Sequence, residues 1–250
     1  YDGITTTAAN CFVSNNELRK IQNDCNKGQP VDINYSDNFM IDKEYYGAIA
    51  HGDYYQDAGV LGTPPQSRSV GTHRRNIMAR GTVSDDTQVD GQGLFFNDTL
   101  AGNSLLNLVI EENIYIGTFV NGISMSRATN PVVNRNTAIF NVFAVNIPTP
   151  ASTQINANGG TGGTFTNNVA LGYSLQSGAT SSNNATLART IAAYRAAFQD
   201  PDRALAATAT KADIISGLSP ILAGPLRNVD GTSQGALFPD GRWNDGSVFV

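Results

Sequence analysis

The densest run of β-branched and aromatic residues in this chain reads Ser104-Leu-Leu-Asn-Leu-Val-Ile-Glu-Glu-Asn-Ile-Tyr-Ile-Gly-Thr-Phe-Val-Asn-Gly-Ile-Ser-Met-Ser126. After Pro131 the same character returns in Thr137-Ala-Ile-Phe-Asn-Val-Phe-Ala-Val-Asn-Ile147. Residues of this kind favour strands, because their side chains pack well on a pleated, half-buried surface. In the second run both alternating sets of side chains are mostly apolar, which is typical of a strand buried on two sides. The two runs therefore predict the core of a sheet.

Two short polar breaks interrupt the first run and indicate turns. Glu111-Glu112-Asn113 separates residues 105–110 from residues 114–120, and Asn113 suits the left-handed position of a hairpin loop. Asn121-Gly122 predicts a two-residue type I′ turn, because both positions of that turn require positive φ. Successive hairpins make an antiparallel meander. The predicted fold class is therefore mainly β, an antiparallel meander sandwich or barrel.

A short N-terminal helix is also predicted. Ser14-Asn15-Asn16-Glu17 matches a capping box, in which the first and fourth residues satisfy each other's backbone N–H groups. The helix should begin near Asn15, and Asn26-Lys27-Gly28 should end it.

The C-terminal third of the chain changes to a helical period. Leu187, Ile191, Tyr194 and Phe198 recur at helical spacing, and Asp200-Pro201 ends this helix and begins another. The predicted helical pair makes the fold α+β-like overall.

At 250 residues the chain is long enough to bury a sizeable core, and we expect a single β-rich domain over residues 1–250. It divides into residues 1–150, with the N-terminal helix and the sheet core, and residues 151–250. The second part holds a Gly/Thr-rich linker, the helical pair and a terminal tail.

Composition limits the function classes. Charged residues make up only 15% of the chain and the net charge is −5, which argues against nucleic acid as a partner because phosphate binding needs clustered cations. No apolar run approaches the roughly 20 residues of a membrane span. The uncharged surface rich in Asn, Thr, Ser and Gly favours a secreted, virion or filament protein. The chain opens on Tyr1 rather than Met, and we expect a processed mature chain or a trimmed one.

The only two cysteines, Cys11 and Cys25, predict a disulfide bond in an oxidising compartment. Two unbonded buried thiols are the alternative. A helix that ran all the way to Asp24 would hold the two Cα atoms too far apart, so the disulfide requires a helix of about two turns.

An aromatic cluster precedes the sheet core and predicts a ligand site. Tyrosines can form a flat platform for a sugar, with a histidine and a carboxylate supplying polar contacts. The alternative is that the tyrosines fill the rim of the sheet and hydrogen-bond through their hydroxyls. The candidate binding residues are Tyr45, Tyr46, His51, Asp53, Tyr54 and Tyr55.

Three carboxylates in one turn, Asp85, Asp86 and Asp90, are candidate metal ligands. Hard oxygen ligands on a loop suit calcium, although the EF-hand spacing is absent. No other cofactor is indicated.

Catalytic motifs are scarce. Only His51 and His73 are available as imidazole bases, and neither accompanies a nucleophile-elbow pattern around a serine. A glycosidase needs only two carboxylates, and the acidic residues supply many pairs without singling one out. Enzyme activity is therefore uncertain, and the sequence favours none. The acidic candidates are Glu44, Asp53, Asp57, Asp85, Asp86, Glu111 and Glu112.

The leading hypothesis is an extracellular structural or assembly subunit of a filament, cell surface or virion. Such a protein acts through contacts with copies of itself or with filament neighbours. The alternatives are a secreted module that binds carbohydrate or another small ligand, with glycans as partners, and a glycoside-active enzyme.

Overall fold

The computed structural model describes residues 3–19, 21, 25–29, 31–41, 53–57, 59, 66–79, 91–97, 99–118, 120–143, 153–221, 223–226, 228 and 232–236. Within these residues the chain forms 21 strands and three short helices.

The strands form three sheets of seven, and every strand pair within them is parallel. Each strand pairs with the third strand before it and the third strand after it in the chain. The backbone therefore passes through the three sheets in turn and repeats this circuit seven times. Such a stack of coils is a parallel β-helix, a solenoid in which each coil contacts mainly its neighbours.

The strands are numbered in chain order. The first sheet contains Ile4–Thr6 (β1), Asn26–Gly28 (β4), Asp53–Asp57 (β7), Gln92–Phe96 (β10), Asn121–Ser126 (β13), Gln154–Asn158 (β16) and Gly172–Ser174 (β19). The second sheet contains Phe12–Ser14 (β2), Ile33–Ser36 (β5), Ser67–Arg74 (β8), Ser104–Glu111 (β11), Val132–Asn134 (β14), Thr164–Thr166 (β17) and Thr180–Ser182 (β20). The third sheet contains Glu17–Arg19 (β3), Phe39–Ile41 (β6), Ile77–Ala79 (β9), Ile114–Gly117 (β12), Thr137–Phe140 (β15), Val169–Ala170 (β18) and Ala185–Thr186 (β21).

An asparagine ladder runs along the turns between the second and third sheets, with one residue per coil. At each step the backbone N–H and the Nδ2 of one asparagine donate to the Oδ1 of the next, at 2.9 to 3.1 Å. Asn113 Nδ2 also donates to the His73 carbonyl of the preceding coil at 2.9 Å. Buried amides paired in this way stabilise one another across the stack. The ladder consists of Asn16, Asn38, Asn76, Asn113, Asn136, Asn168 and Asn184.

The residue before each ladder asparagine has a φ between 53° and 62°. This left-handed residue turns the chain sharply from the second sheet into the third. Several of these corner residues are charged and pair between coils. Arg75, for example, donates to both carboxylate oxygens of Asp37 at 2.6 and 2.9 Å.

The interior of the coils is filled by buried side chains, among which one from each successive strand stacks in register on the next. The first sheet contributes Tyr55, Leu94, Ile123 and Ile155; the second contributes Val13, Tyr35, His73, Ile110, Val133 and Phe165; the third contributes Leu18, Met40, Met78, Tyr115, Ala138 and Ala170. Burial of this continuous apolar column supplies the main stabilisation of the solenoid.

A second core lies on the outer side of the third sheet. Here the outward side chains are aliphatic and aromatic, and the C-terminal segment packs over them through Ile191–Ala197 (α1), Pro201–Ala204 (α2) and Lys211–Gly217 (α3). Tyr194 anchors α1: its hydroxyl donates to the Phe140 carbonyl at 3.1 Å and accepts from the Phe140 N–H at 3.2 Å. The outward sheet residues are Phe39, Ile41, Ile77, Ala79, Ile114, Ile116, Ile139 and Val169.

The prediction of a mainly β chain with C-terminal helices is confirmed, although the helices are three rather than a pair. Asp200 caps α2 by accepting from the Arg203 N–H at 3.2 Å, and Pro201 occupies its first turn. The predicted antiparallel meander is wrong, because the sheets are parallel. Strands that were expected to pair through hairpins belong to different sheets.

The two supposed hairpin turns show why. Glu112, not Asn113, adopts positive φ, and the turn leads from β11 in the second sheet to β12 in the third. Asn121 and Gly122 lie inside β13, where the register with β16 shifts by one residue.

The predicted N-terminal helix is also wrong. Asn15 adopts a φ of 57° and makes the first corner of the ladder, so residues 12–19 form two strands joined by a turn. No disulfide joins Cys11 to Cys25. The carbonyl of Cys11 accepts from Asn34 in the second sheet, whereas that of Cys25 accepts from Ile4 in the first, so the two residues belong to different faces of the solenoid.

The predicted Gly/Thr-rich linker contains ordered turns and strands. Residues 154–158 and 164–166 are strands β16 and β17, and the glycine run between them stacks on the preceding coil. Within that run, Thr161 N–H donates to the Ala128 carbonyl at 3.2 Å and its carbonyl accepts from Asn130 at 2.9 Å.

Candidate functional site

The predicted binding and metal residues divide between described and undescribed parts of the chain. Tyr45, Tyr46 and His51 lie between β6 and β7, outside the described residues, and their role stays a prediction. Asp85, Asp86 and Asp90 lie between β9 and β10, also outside the described residues. In chain order, both segments connect the third sheet to the first.

Asp53, Tyr54 and Tyr55 lie on β7 and are fully buried. The Tyr54 ring meets the Tyr115 ring edge-on at 6.1 Å, and the Tyr55 ring meets the His73 ring at 4.5 Å. Their burial favours the alternative in which the tyrosines fill the structure. Burial also raises the pKa of Tyr55 well above its ordinary value, with Asp57 adding to the rise.

Three of the described carboxylates from the candidate catalytic set, Asp57, Glu111 and Glu112, lie beside arginines. Asp57 is buried and paired with Arg68. Glu112 lies 3.3 Å from the Arg74 guanidinium, and Glu111 lies 3.9 Å from it. Contacts of this kind between neighbouring strands are typical of structural ion pairs.

His73 is the one described histidine, and it is fully buried. Burial lowers its pKa to about 3, and Arg68 adds to that effect. The ring lies edge-on to Phe96 at 4.9 Å, and neither ring nitrogen has a hydrogen-bond partner. A neutral imidazole enclosed by aromatic rings fills space in the core and does not reach substrate.

The second-sheet outer face is a flat surface that the described chain leaves uncovered. Its first row consists of Phe12, Asn34, Thr72, Val109, Val132, Thr164 and Thr180, which pair in register across all seven strands. Phe12 is 75% exposed and Val132 is 38% exposed. With strands about 4.8 Å apart, the row is about 29 Å long.

A second row runs parallel to the first, two residues further along each strand. It consists of Ser14, Ser36, Arg74, Glu111, Asn134, Thr166 and Ser182. Thr166 Oγ1 and Asn134 Oδ1 are hydrogen-bonded at 3.0 Å. The single cation and the single anion of this row neighbour each other, so the face carries hydroxyls, amides and β-branched groups with no net charge.

An amide cluster lies on the outer side of the first sheet, in the fourth to sixth coils. We define it as Gln92, Asn97, Asn121, Ser124 and Asn156. Asn156 Nδ2 donates to Asn121 Oδ1 at 2.9 Å, and Asn121 Nδ2 donates to the side-chain oxygen of Gln92. Asn97 Nδ2 donates to Ser124 Oγ at 2.5 Å. Ser124 and Asn156 are paired neighbours in the sheet, which joins the two halves of the cluster.

The cluster contains two buried acceptors that nothing in the described chain satisfies. They are Asn97 Oδ1 and Asn156 Oδ1. The Asn156 residue as a whole is only 8% exposed, and Ser124 is 1% exposed. A buried amide oxygen without a donor costs about 1 to 3 kcal/mol, so such atoms normally have a water or a ligand as partner.

Sequence reasoning missed this cluster, because its members are scattered over residues 92–156 with no motif among them. Only the register of β10, β13 and β16 brings them together. The available signal was a polar residue between two apolar ones, as in Ile123-Ser124-Met125 and Ile155-Asn156-Ala157. That alternation places the polar side chain on the outer side of a half-buried strand.

No protein-family model, curated protein or solved structure matches this chain. Among the described residues, none of the helices has the length and apolarity that crossing a membrane demands. The same residues bring together no group of three or more His, Cys, Asp or Glu side chains that would hold a metal ion.

Proposed function

We propose that this protein is an extracellular structural or assembly subunit, of a filament, cell surface or virion, and that it joins its neighbours through the second-sheet outer face. The observation that carries the proposal is one row of a face that the described helices leave open, in which Phe12 and Val132 are exposed and Val109 is partly exposed.

The chemistry of this face suits a second copy of the same chain. Its two rows carry no net charge, and Arg74 and Glu111, whose side chains lie 3.9 Å apart, offer each copy a cation and an anion for the other. Exposed aliphatic and aromatic groups among hydroxyls are typical of a surface that excludes water on contact. A face of this kind can pair isologously with itself.

An extracellular location is supported by the low proportion of charged residues and the surface rich in hydroxyls and amides. The argument from an oxidising compartment falls away, because Cys11 and Cys25 are not joined. The proposed location therefore rests on composition.

The test is the oligomeric state of the full chain and of Val132→Lys. Sedimentation velocity and negative-stain microscopy of the wild type should give dimers or longer assemblies. Val132→Lys should weaken association at least tenfold, because a lysine would be desolvated in the centre of the contact. Asn158→Lys, at an exposed position of β16 on the first sheet, is the matched control and should assemble normally. A strictly monomeric wild type at high concentration would overturn the proposal.

A further inference from the structure

We infer that the amide cluster of the first sheet is a binding subsite for a neutral, hydroxyl-rich ligand, a sugar residue of a glycan. The site lies on a different sheet from the proposed assembly face and goes beyond the assembly function. Two buried amide oxygens without donors, Asn97 Oδ1 and Asn156 Oδ1, flank a single serine hydroxyl.

The orientation of Asn156 Oδ1 follows from its neighbours. Asn156 donates through Nδ2 to Asn121 Oδ1, and Asn121 donates in turn to Gln92. If the Asn156 side-chain amide were rotated by 180°, its Oδ1 would face Asn121 Oδ1, and the two acceptors would repel each other. Asn97 Nδ2 donates to Ser124 Oγ, and because a hydroxyl can both donate and accept, this contact alone does not fix the Asn97 amide. In the observed arrangement both Oδ1 atoms lack a donor within the cluster, and Asn156 Oδ1 is the one that its neighbours hold in place.

The chemistry of that donor can be narrowed. The five side chains of the cluster are amides and a hydroxyl, and Asp53, which pairs with Gln92 on the neighbouring strand, adds a carboxyl group. A carboxylate or phosphate would therefore meet oxygen acceptors and no cation among these described residues. A metal ion prefers several ionised oxygen ligands, and the five cluster side chains supply none. Hydroxyl groups donate to amide oxygens without a charge to desolvate. Two hydroxyls on adjacent carbons of a sugar would satisfy both acceptors.

The position of Phe95 adds an apolar wall. It lies in the same lateral row, where Phe95 pairs with Ser124 and Ser124 pairs with Asn156, and its side chain is partly exposed. Sugar sites commonly set an aromatic ring against the C–H face of the sugar while a few polar groups fix its hydroxyls. Asn97 and Asn121 are only partly buried, so a ligand would approach the cluster at these two side chains.

The test is glycan binding by the full chain and by two variants that differ by one outward position on β16. The probes are an array of neutral and anionic glycans, followed by titration calorimetry with the neutral oligosaccharide that gives the strongest signal. Asn156→Ala should lose affinity at least tenfold, because it removes one acceptor and leaves Asn121 without its donor. Asn158→Ala, which is exposed and outside the cluster, should bind as the wild type does.

A second readout separates a lost contact from a lost fold. The side-chain amide NMR signals of Asn97 and Asn156 should shift on saturation with the oligosaccharide in the wild type, and those of Asn158 should not. Both variants should retain the wild-type circular dichroism spectrum. Absence of binding to any neutral glycan, binding restricted to anionic glycans, or equal affinity of Asn156→Ala and Asn158→Ala would each overturn the inference. None of these outcomes depends on whether the chain assembles.

Discussion

The second and third sheets share the asparagine ladder along one edge and have the same number of strands, yet they turn opposite chemistry outward. Outward residues of the third sheet, such as Ile114 and Ile139, are buried beneath the C-terminal helices. Outward residues of the second sheet, such as Thr72 and Thr164, face solvent. In this solenoid the ladder and the inward residues set the strands. The outward residues determine which face the chain covers itself and which it leaves for partners.

The largest difference in stability should appear when the same charge is placed on the outer face of the third sheet and on that of the second. Ile114→Asp and Val109→Asp make this comparison, because they change outward residues on consecutive strands of one coil. Ile114 is 1% exposed, so its replacement buries an unpaired carboxylate and should cost at least about 4 kcal/mol. Val109 is partly exposed and should cost about 1 kcal/mol or less. Urea unfolding of both variants measures the difference. Equal losses would mean that the helices do not cover the third sheet.

The second-largest loss of stability should come from a substitution in the asparagine ladder that joins the two sheets. Asn113→Ala removes the acceptor for the Asn76 N–H and Nδ2 groups and the donor to the His73 carbonyl. At about 1 to 3 kcal/mol for each buried group left unsatisfied, the loss in unfolding free energy should be about 3 kcal/mol or more. Asn16→Ala at the partly exposed end of the ladder is the control and should cost about 1 kcal/mol. If Asn113→Ala lowered the free energy of unfolding by no more than Asn16→Ala does, the ladder asparagines would not stabilise one another.

The ladder also explains what sequence reasoning could and could not reach. A strand period and buried apolar runs were readable from residues 104–140, and so was the cap at Asp200. The parallel pairing of the strands could not be predicted, because a short polar break between two strands occurs both in a hairpin and at the corner of a solenoid. The decisive sign was a recurring asparagine before an apolar strand. Its spacing varies through 22, 38, 37, 23, 32 and 16 residues, which hides the repeat.

The candidate sites were harder still to predict. Tyr54 and Tyr55 carried the right chemistry for a ligand platform, but both are fully buried, where Tyr54 packs on Tyr115 and Tyr55 packs on His73. The amide cluster has no local signature, because residues such as Ser124 and Asn156 meet only through register. A sequence read without coil boundaries cannot supply that register.

Acid should weaken the inner side of the second sheet, where His73 stacks. Its pKa is about 3 in the folded chain because of burial, against an ordinary 6.5. Between these values the unfolded chain binds the extra proton, so stability falls as the pH is lowered from 6.5. By pH 4 this linkage should cost about 3 kcal/mol.

The measurement is the difference in unfolding free energy between wild type and His73→Leu at pH 7 and pH 4. Other acidic groups titrate in both proteins and cancel. The variant should lose less stability on acidification than the wild type does. Parallel pH profiles would mean that the imidazole accepts a proton in the folded state.

The smallest effect should come from the corner where the covering helices meet the ladder. Lys211 begins α3, and burial lowers its pKa to about 8, while the carboxylates of Asp37 and Glu17 pull the value upward. From pH 8 to 10.5 the unfolded chain holds a proton that the folded chain has released, so stability should rise with pH over this window. The Lys211→Met variant should therefore be slightly more stable than the wild type at pH 7. The difference between their free energies of unfolding, measured by urea denaturation, should disappear by pH 10. Arg195→Met, an exposed guanidinium that stays charged, should differ from the wild type by an amount independent of pH. If the stability difference between Lys211→Met and the wild type did not change with pH, the Lys211 ammonium would be hydrated in the folded chain. The helices that cover the third sheet would then end before they reach the asparagine ladder.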